Sequence, residues 1–321
     1  MTESLKLRPP DYWRPAPGMV SPDRVAIAGR LGFLDLFEGG NLYYQGYLGP
    51  HNRDASMVAV NTITNLRAAL MPALRGLLYA VVPSKASCLP ENYPLLLPSA
   101  PTSVFREVRD YLEPISGHVF FNAMTMSDLG ERQRRWMQTD SHWSAYGAWQ
   151  AAAELLAVLG VPAPAVRTRY TEHEWGGDLC GRWSMDSPIA WEDREVLLGH
   201  DGERVVKHDN GNGLVHAVNN GRFVHWFNPA APVKAKLVIV GGSSSGTGYF
   251  PEQLTYWLSM VFADTCFLHS ANCPTDLIEE LVPDFLLVQT NERFMQFPYL
   301  EKLTLQALLQ SFTDRLAAIQ P

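Results

Sequence analysis

Short apolar runs alternate with amphipathic stretches along most of this chain. Residues 77–82, Leu-Leu-Tyr-Ala-Val-Val, are continuously apolar and are followed by Pro83. A proline cannot donate to a strand ladder, so the run reads as a buried strand that ends there. Residues 118–121 read as a second core strand. Between them, residues 103–112 predict a helix. Upstream, Met57, Val58, Val60, Ile63, Leu66 and Leu70 recur at helical spacing within 54–74, with Asp54 as the N-cap. Residues 144–159 predict an amphipathic helix stopped by Gly160 and Pro162. The C-terminal part predicts strand 236–241, helix 248–260, strand 264–269, helix 275–282, strand 284–290 and a last helix over 303–319. Strands alternating with helices predict an α/β fold, a parallel or mixed sheet covered on both faces.

Two stretches break this rhythm. Residues 25–37 read as a strand or hairpin punctuated by Gly29 and Gly32. From 164 to 231, short runs around Val205-Val206, 214–218 and 222–226 are joined by Asn/Gly turns, which predicts a β-rich insertion. The expected organisation is an extended N-terminal arm over 1–22, a first α/β part over 23–163, the insertion over 164–231, and a second α/β part over 232–321.

With 321 residues, 46% hydrophobic and 18% charged, the chain can bury a sizeable core. A net charge of −7 argues against a nucleic-acid partner, since phosphate binding needs a basic surface. No stretch approaches the roughly 18 continuous apolar residues of a membrane span. Cys88, Cys180, Cys266 and Cys273 have no CxxC spacing and read as free buried thiols. No apolar segment opens the chain, so the expected compartment is the cytoplasm, or the periplasm or exterior if a leader was removed.

The chemistry concentrates in two places. Gly241-Gly242-Ser243-Ser244-Ser245-Gly246 follows the strand predicted at 236–241. The carboxyl end of such a strand is where open α/β sheets place ligands. Asp140-Ser141-His142-Trp143 sets a carboxylate two residues from an imidazole, so one loop can carry both. A serine hydroxyl needs a base to attack a carbonyl, and the base needs an orienting acid. Ser243, His142 and Asp140 are the candidate nucleophile, base and acid. A bland reading makes Asp140 or Ser144 a helix cap. A competing register reads Gly242 to Gly246 as Gly-x-Ser-x-Gly with Ser244 as nucleophile and Asp264 and His269 as partners. Backbone N–H groups of Ser243 and Ser244 are candidate oxyanion donors. Gln289, Asn291 and Arg293 are oxyanion or substrate candidates at the last strand. Lys85 reads as packing or pairing at a strand end, with a role in the site as the alternative. No histidine spacing predicts a metal site, and no cofactor is expected. Trp175, Trp183, Trp191 and Trp226 either pack in the insertion or line a substrate pocket.

The Asp-x-His-Trp-Ser run, followed by Tyr146-Gly147-Ala148, resembles the alginate O-acetyltransferase-like branch of the SGNH hydrolase superfamily. Val81-Val82-Pro83-Ser84-Lys85-Ala86, Gly177-Asp178-Leu179 and the 283–293 segment resemble further elements of that branch, in the same order. The chain departs from the pattern at Gly242, where the superfamily more often has Asp, and at Val288-Gln289, where the branch has Trp-Glu. The resemblance implies an SGNH-hydrolase-like fold and an O-acyltransferase, acetyl being the expected group. The reaction passes through an acyl-enzyme on Ser243, with a hydroxyl of a carbohydrate or small metabolite as acceptor. The partners it implies are an acyl donor (a small molecule or an acyl-carrying protein), a hydroxylated acceptor, and a membrane protein that delivers the acyl group. An acetyl esterase using the same residues, and a non-catalytic SGNH-like binding module, are the alternatives.

Overall fold

The apolar runs become strands. In chain order these are β1 (Ala26–Ala28), β2 (Leu34–Leu36), β3 (Gly76–Val82), β4 (His118–Phe120), β5 (Val166–Glu174), β6 (Trp191–Gly199), β7 (Val205–Asp209), β8 (Phe223–Phe227), β9 (Val233–Gly241), β10 (Phe262–His269) and β11 (Phe285–Asn291). The computed structural model describes residues 16–23, 26–36, 60–61, 63–65, 67–93, 104–113, 118–120, 128–163, 166–174, 177–183, 191–199, 204–211, 219–274, 276–294 and 303–319. The 1–15 part of the expected arm, the start of the 54–74 helix and the run at 214–218 lie outside them.

Among the described residues, seven strands form the main sheet, in the order β4-β3-β11-β9-β10-β8-β7. The first five are mutually parallel. β8 runs antiparallel to β10, and β7 antiparallel to β8. The fold is α/β: a mixed, mostly parallel sheet flanked by helices. β4 forms an edge of this sheet. The stretch expected as one insertion is divided. β5 and β6 pair with each other as a separate two-stranded sheet, while β7 and β8 extend the main one.

Alternation along the strands sorts side chains onto two faces. Leu78, Ala80 and Val82 of β3 join Leu237 and Ile239 of β9 and Phe267 of β10 in one core cluster. Helices Ala145–Val158 and Leu254–Val261 cover that face with Ala148, Ala152, Leu155, Trp257 and Leu258. Leu77, Tyr79, Val81, Val238, Val240 and Leu286 point the other way, against Val108, Leu112, Leu277, Leu305 and Leu308 of helices Val104–Leu112, Leu277–Leu281 and Leu305–Ile319. One face of the β1–β2 hairpin forms its own small cluster, Ala26, Ala28 and Leu34 meeting Leu179, while Ile27 joins the first core cluster.

This topology prepares a crevice. The chain passes from β9 to its neighbour β10 through a helix on one face. It then returns through helix Leu277–Leu281, on the opposite face, to β11 on the other side of β9. Crossovers on opposite faces part at the carboxyl end of β9, the switch point at which open α/β sheets bind ligands.

His269 closes the end of β10. Burial, aided by the Arg222 charge, pushes its imidazole down to about 4. Unfolding frees it to titrate near 6.5. The unfolded chain then binds the extra proton first, so stability is full above about pH 6.5 and declines as pH falls towards 4. The shift corresponds to a loss of no more than about 3 kcal/mol. Urea unfolding at pH 7 and pH 4.5 measures it, and a His269→Asn variant should show a shallower decline. Equal pH slopes in the two proteins would rule this origin out.

Candidate active site

The turn that carries Ser243 begins where β9 ends. Gly241 leaves room for the Gln289 side chain: a Cβ there would lie 2.8 Å from Gln289 Oε1 and 3.0 Å from Ser245 Oγ. The turn closes on itself, Ser245 N and Gly246 N each donating to Gly242 O at 3.1 Å. Gln289 holds it from β11. Its Oε1 accepts from Gly242 N at 3.1 Å and from Ser245 Oγ at 2.9 Å, and its Nε2 donates to Asn291 Oδ1 at 2.9 Å. Ser243 stands partly exposed at the apex, while Ser244 and Ser245 are buried.

Asp140 and His142 lie on the segment before helix Ala145–Val158. Ser144 is the N-cap of that helix, its Oγ accepting from Gly147 N at 3.1 Å. The capping role therefore falls to Ser144, and Asp140 and His142 are left to face Ser243. His142 Nε2 lies 2.6 Å from Ser243 Oγ, and His142 Nδ1 lies 2.6 Å from Asp140 Oδ1. Asp140 Oδ1 also accepts from His142 N at 2.9 Å, and its Oδ2 accepts from Asp178 N at 3.1 Å. Trp143 Nε1 donates to Glu252 O at 2.9 Å, tying the loop to the segment that follows the Ser243 turn.

Asp140 is 6% exposed. Burial opposes its charge, but the hydrogen bond and charge of His142, with the two backbone N–H groups, outweigh that and hold its carboxyl down to about 2. Asp140 is thus an anion at neutral pH, the state in which a carboxylate can orient an imidazole.

Behind the loop, Lys85 is buried beyond the last residues of β3. Its Nζ donates to Leu34 O and Asp140 O at 2.6 Å each and to Gln138 O at 3.3 Å. The short helix Lys85–Cys88 that carries it is anchored by Glu292, whose Oε2 accepts from Ser84 N at 2.7 Å and whose Oε1 accepts from Ser87 Oγ at 3.0 Å. Lys85 therefore pairs at the strand end, where it joins β2 to the loop that carries Asp140 and His142.

The oxyanion candidates separate by partner. The backbone N–H groups of Ser243 and Ser244 have no acceptor among the described residues. Asn291 Oδ1 takes Ser244 Oγ at 3.2 Å as well as Gln289 Nε2, which orients the amide and leaves Nδ2 without a partner among the described residues. Gln289 is engaged in supporting the turn. Arg293 continues from β11 into a short 3-10 turn, and its side chain lies outside the described portion.

The competing register does not assemble. Ser244 Oγ is directed at Asn291, and Asp264 Oδ1 bonds His225 Nε2 at 2.7 Å instead of His269. Two groups of potential metal donors exist among the described residues: Asp140, His142 and Asp178, and separately His225, Asp264 and Cys266. In the first, the imidazole is already bonded on both nitrogens. The His225–Asp264 pair was invisible in the sequence, because it forms only when β8 and β10 pair. The four cysteines are free thiols. Trp226 is buried, with its Nε1 donating to Thr247 O at 2.7 Å, and Trp183 packs against the β1–β2 hairpin. Trp175 and the Trp191 side chain lie outside the described portion.

The fold and its switch point define a mixed α/β protein with a mostly parallel sheet flanked by helices. Among solved structures, the chain is similar to the O-acetyltransferase domain of Pseudomonas putida AlgJ, at 15% identity and a TM-score of 0.56 over 90% of this chain and 99% of that one. It is similar to Bacillus cereus PatB1, at 14% identity and a TM-score of 0.54 over 84% and 97%. It is also similar to a DHHW family protein from Eubacterium siraeum, at 14% identity and a TM-score of 0.59 over 87% and 99%. No family model and no curated protein matches the sequence.

Proposed function

We propose that the chain is a serine-dependent O-acyltransferase, acetyl being the favoured group, that works through an acyl-enzyme on Ser243. The carrying observation is the continuous chain of 2.6 Å contacts from Ser243 Oγ through His142 to Asp140. The likeness to the AlgJ O-acetyltransferase domain supports acetyl as the group transferred.

In this mechanism His142 Nε2 takes the Ser243 proton as Oγ attacks the donor's ester carbon. The new C–O bond forms as the carbonyl electron pair moves onto oxygen. Ser243 N–H, Ser244 N–H and Asn291 Nδ2–H stabilise that oxyanion. Collapse breaks the bond to the donor oxygen, which leaves with the proton from His142. An acceptor hydroxyl then attacks the acyl-enzyme while His142 takes its proton. The second collapse restores the Ser243 hydroxyl. Asp140 holds the imidazole tautomer throughout and offsets the imidazolium charge.

The esterase reading differs only in letting water be the acceptor. A Cβ at Gly242 would meet nothing within 4 Å, so the residue next to the nucleophile leaves room for either. Product analysis at rising concentrations of a polyol or sugar, with p-nitrophenyl acetate as donor and no lipid, separates the two. Transfer should rise at the expense of acetate release. Unchanged hydrolysis with no transferred ester would leave only the esterase. In the same assay Asn291→Ala should slow acyl-enzyme formation about 10²-fold, and a wild-type rate would remove Asn291 from the oxyanion site. Among the described residues no helix is long and apolar enough to cross a membrane.

A further inference from the structure

Segment 177–180 grips the loop that carries the acid and base. Gly177 approaches it so closely that a Cβ would lie 2.4 Å from Thr139 C and O and 2.5 Å from Asp140 N. Gly177 N donates to Thr139 Oγ1 at 3.2 Å, and Leu179 N to Thr139 O at 3.2 Å. The centre of the grip is Asp178. Its Oδ1 accepts from Ser141 N and its Oδ2 from Ser141 Oγ, both at 2.6 Å, while its own N–H donates to Asp140 Oδ2. Its Oδ2 is also 3.9 Å from His142 Nδ1.

Ser141 is the single residue between acid and base. Its backbone orientation sets the angle between the Asp140 carboxylate and the His142 ring. A carboxylate that accepts both its N–H and its hydroxyl leaves that orientation little freedom. Charge-assisted bonds of this length are stronger than neutral ones. The Asp178 side chain is 43% exposed, so it is not part of the core and its replacement leaves the packing in place.

We propose that Asp178 is a positioning residue for the reaction, fixing the Asp140–His142 pair through Ser141; this rests on the triad reading above. A residue two or more bonds from the chemistry acts by geometry. A misplacement on the order of 1 Å costs up to about 10²-fold in rate. Substrate binding does not use this contact, so the loss falls on kcat and not on KM.

The test compares Asp178→Ala, Asp178→Asn and Ser141→Ala with p-nitrophenyl acetate, each checked for an unchanged Tm. Asp178→Ala should lower kcat about 10- to 100-fold with KM within about twofold. Asp178→Asn keeps an acceptor for Ser141 N–H and should recover part of the rate. Adding Ser141→Ala to Asp178→Ala should cost little more, because both remove one grip. A kcat within about twofold of wild type in Asp178→Ala, while Ser243→Ala is inactive, overturns the proposal alone. So does a fall that Asp178→Asn does not relieve. Activity retained in Ser243→Ala overturns the underlying triad reading, and this proposal with it.

Discussion

Replacing Ser243 by Ala is expected to lower turnover of p-nitrophenyl acetate by at least about 10⁴-fold and to abolish labelling by a fluorophosphonate probe. The reason is geometric. Ser243 Oγ is the hydroxyl that meets His142 Nε2, at 2.6 Å, and it stands partly exposed at the apex of the turn. The variant should keep its fold, since the turn is held by Gly242, Ser245 and Gln289. Ser244→Ala is the matched control for the nucleophile. Its hydroxyl is buried and donates to Asn291, so labelling should persist in that variant, at a reduced rate because the Asn291 amide loses one of its two anchors. Mass spectrometry of the labelled peptide reads the result directly. An adduct that survives Ser243→Ala and disappears with Ser244→Ala would move the nucleophile by one residue and undo the assignment.

His142→Ala should cost as much as losing Ser243, and the double variant no more than either, because members of such a relay act as a unit. Asp140→Asn should fall about 10⁴-fold with the fold intact, since an amide in place of the carboxylate turns the imidazole to the wrong tautomer. Asp140 is held as an anion down to about pH 2, so titration of this group should not shape the pH–rate profile between pH 5 and 9. Burst kinetics at pH 7 test both variants. A normal acylation burst in His142→Ala would remove it as base, and a normal burst in Asp140→Asn would reduce Asp140 to a loop anchor.

Much of the α/β frame was readable because its signals are local. The run at 77–82 became β3, that at 284–290 became β11, and Ser144 capped the helix expected after it. The helix expected from 248 begins only at Leu254. Gly248 takes φ +88, and Gln253 Oε1 accepts from Gly248 N at 2.7 Å and Tyr249 N at 3.1 Å, so the intervening residues form a turn. Periodicity does not register a side chain that gathers backbone donors from its own loop. β7 and β8 were expected within a separate insertion. Their alternation is the same whichever sheet accepts them, and pairing with β10 is settled only by what lies across the strand.

The candidate site divides along the same line. Sequence alone placed a carboxylate and an imidazole on one loop and a serine after a strand, because those relations lie within a few residues of chain. It did not single out Asp178 as a partner of that loop. The Gly-Asp-Leu element was visible, but its meaning lies in an approach so close that a Cβ on Gly177 would lie 2.4 Å from Thr139, between segments 38 residues apart. Nor could it choose among Ser244, Gln289 and Asn291, whose roles follow from which hydrogen bonds each one already makes across 44 to 47 residues. Local spacing determines which chemical groups a loop can present. Only the packed sheet, by bringing the end of β9 beside β11 and under the His142 loop, decides which of those groups meet.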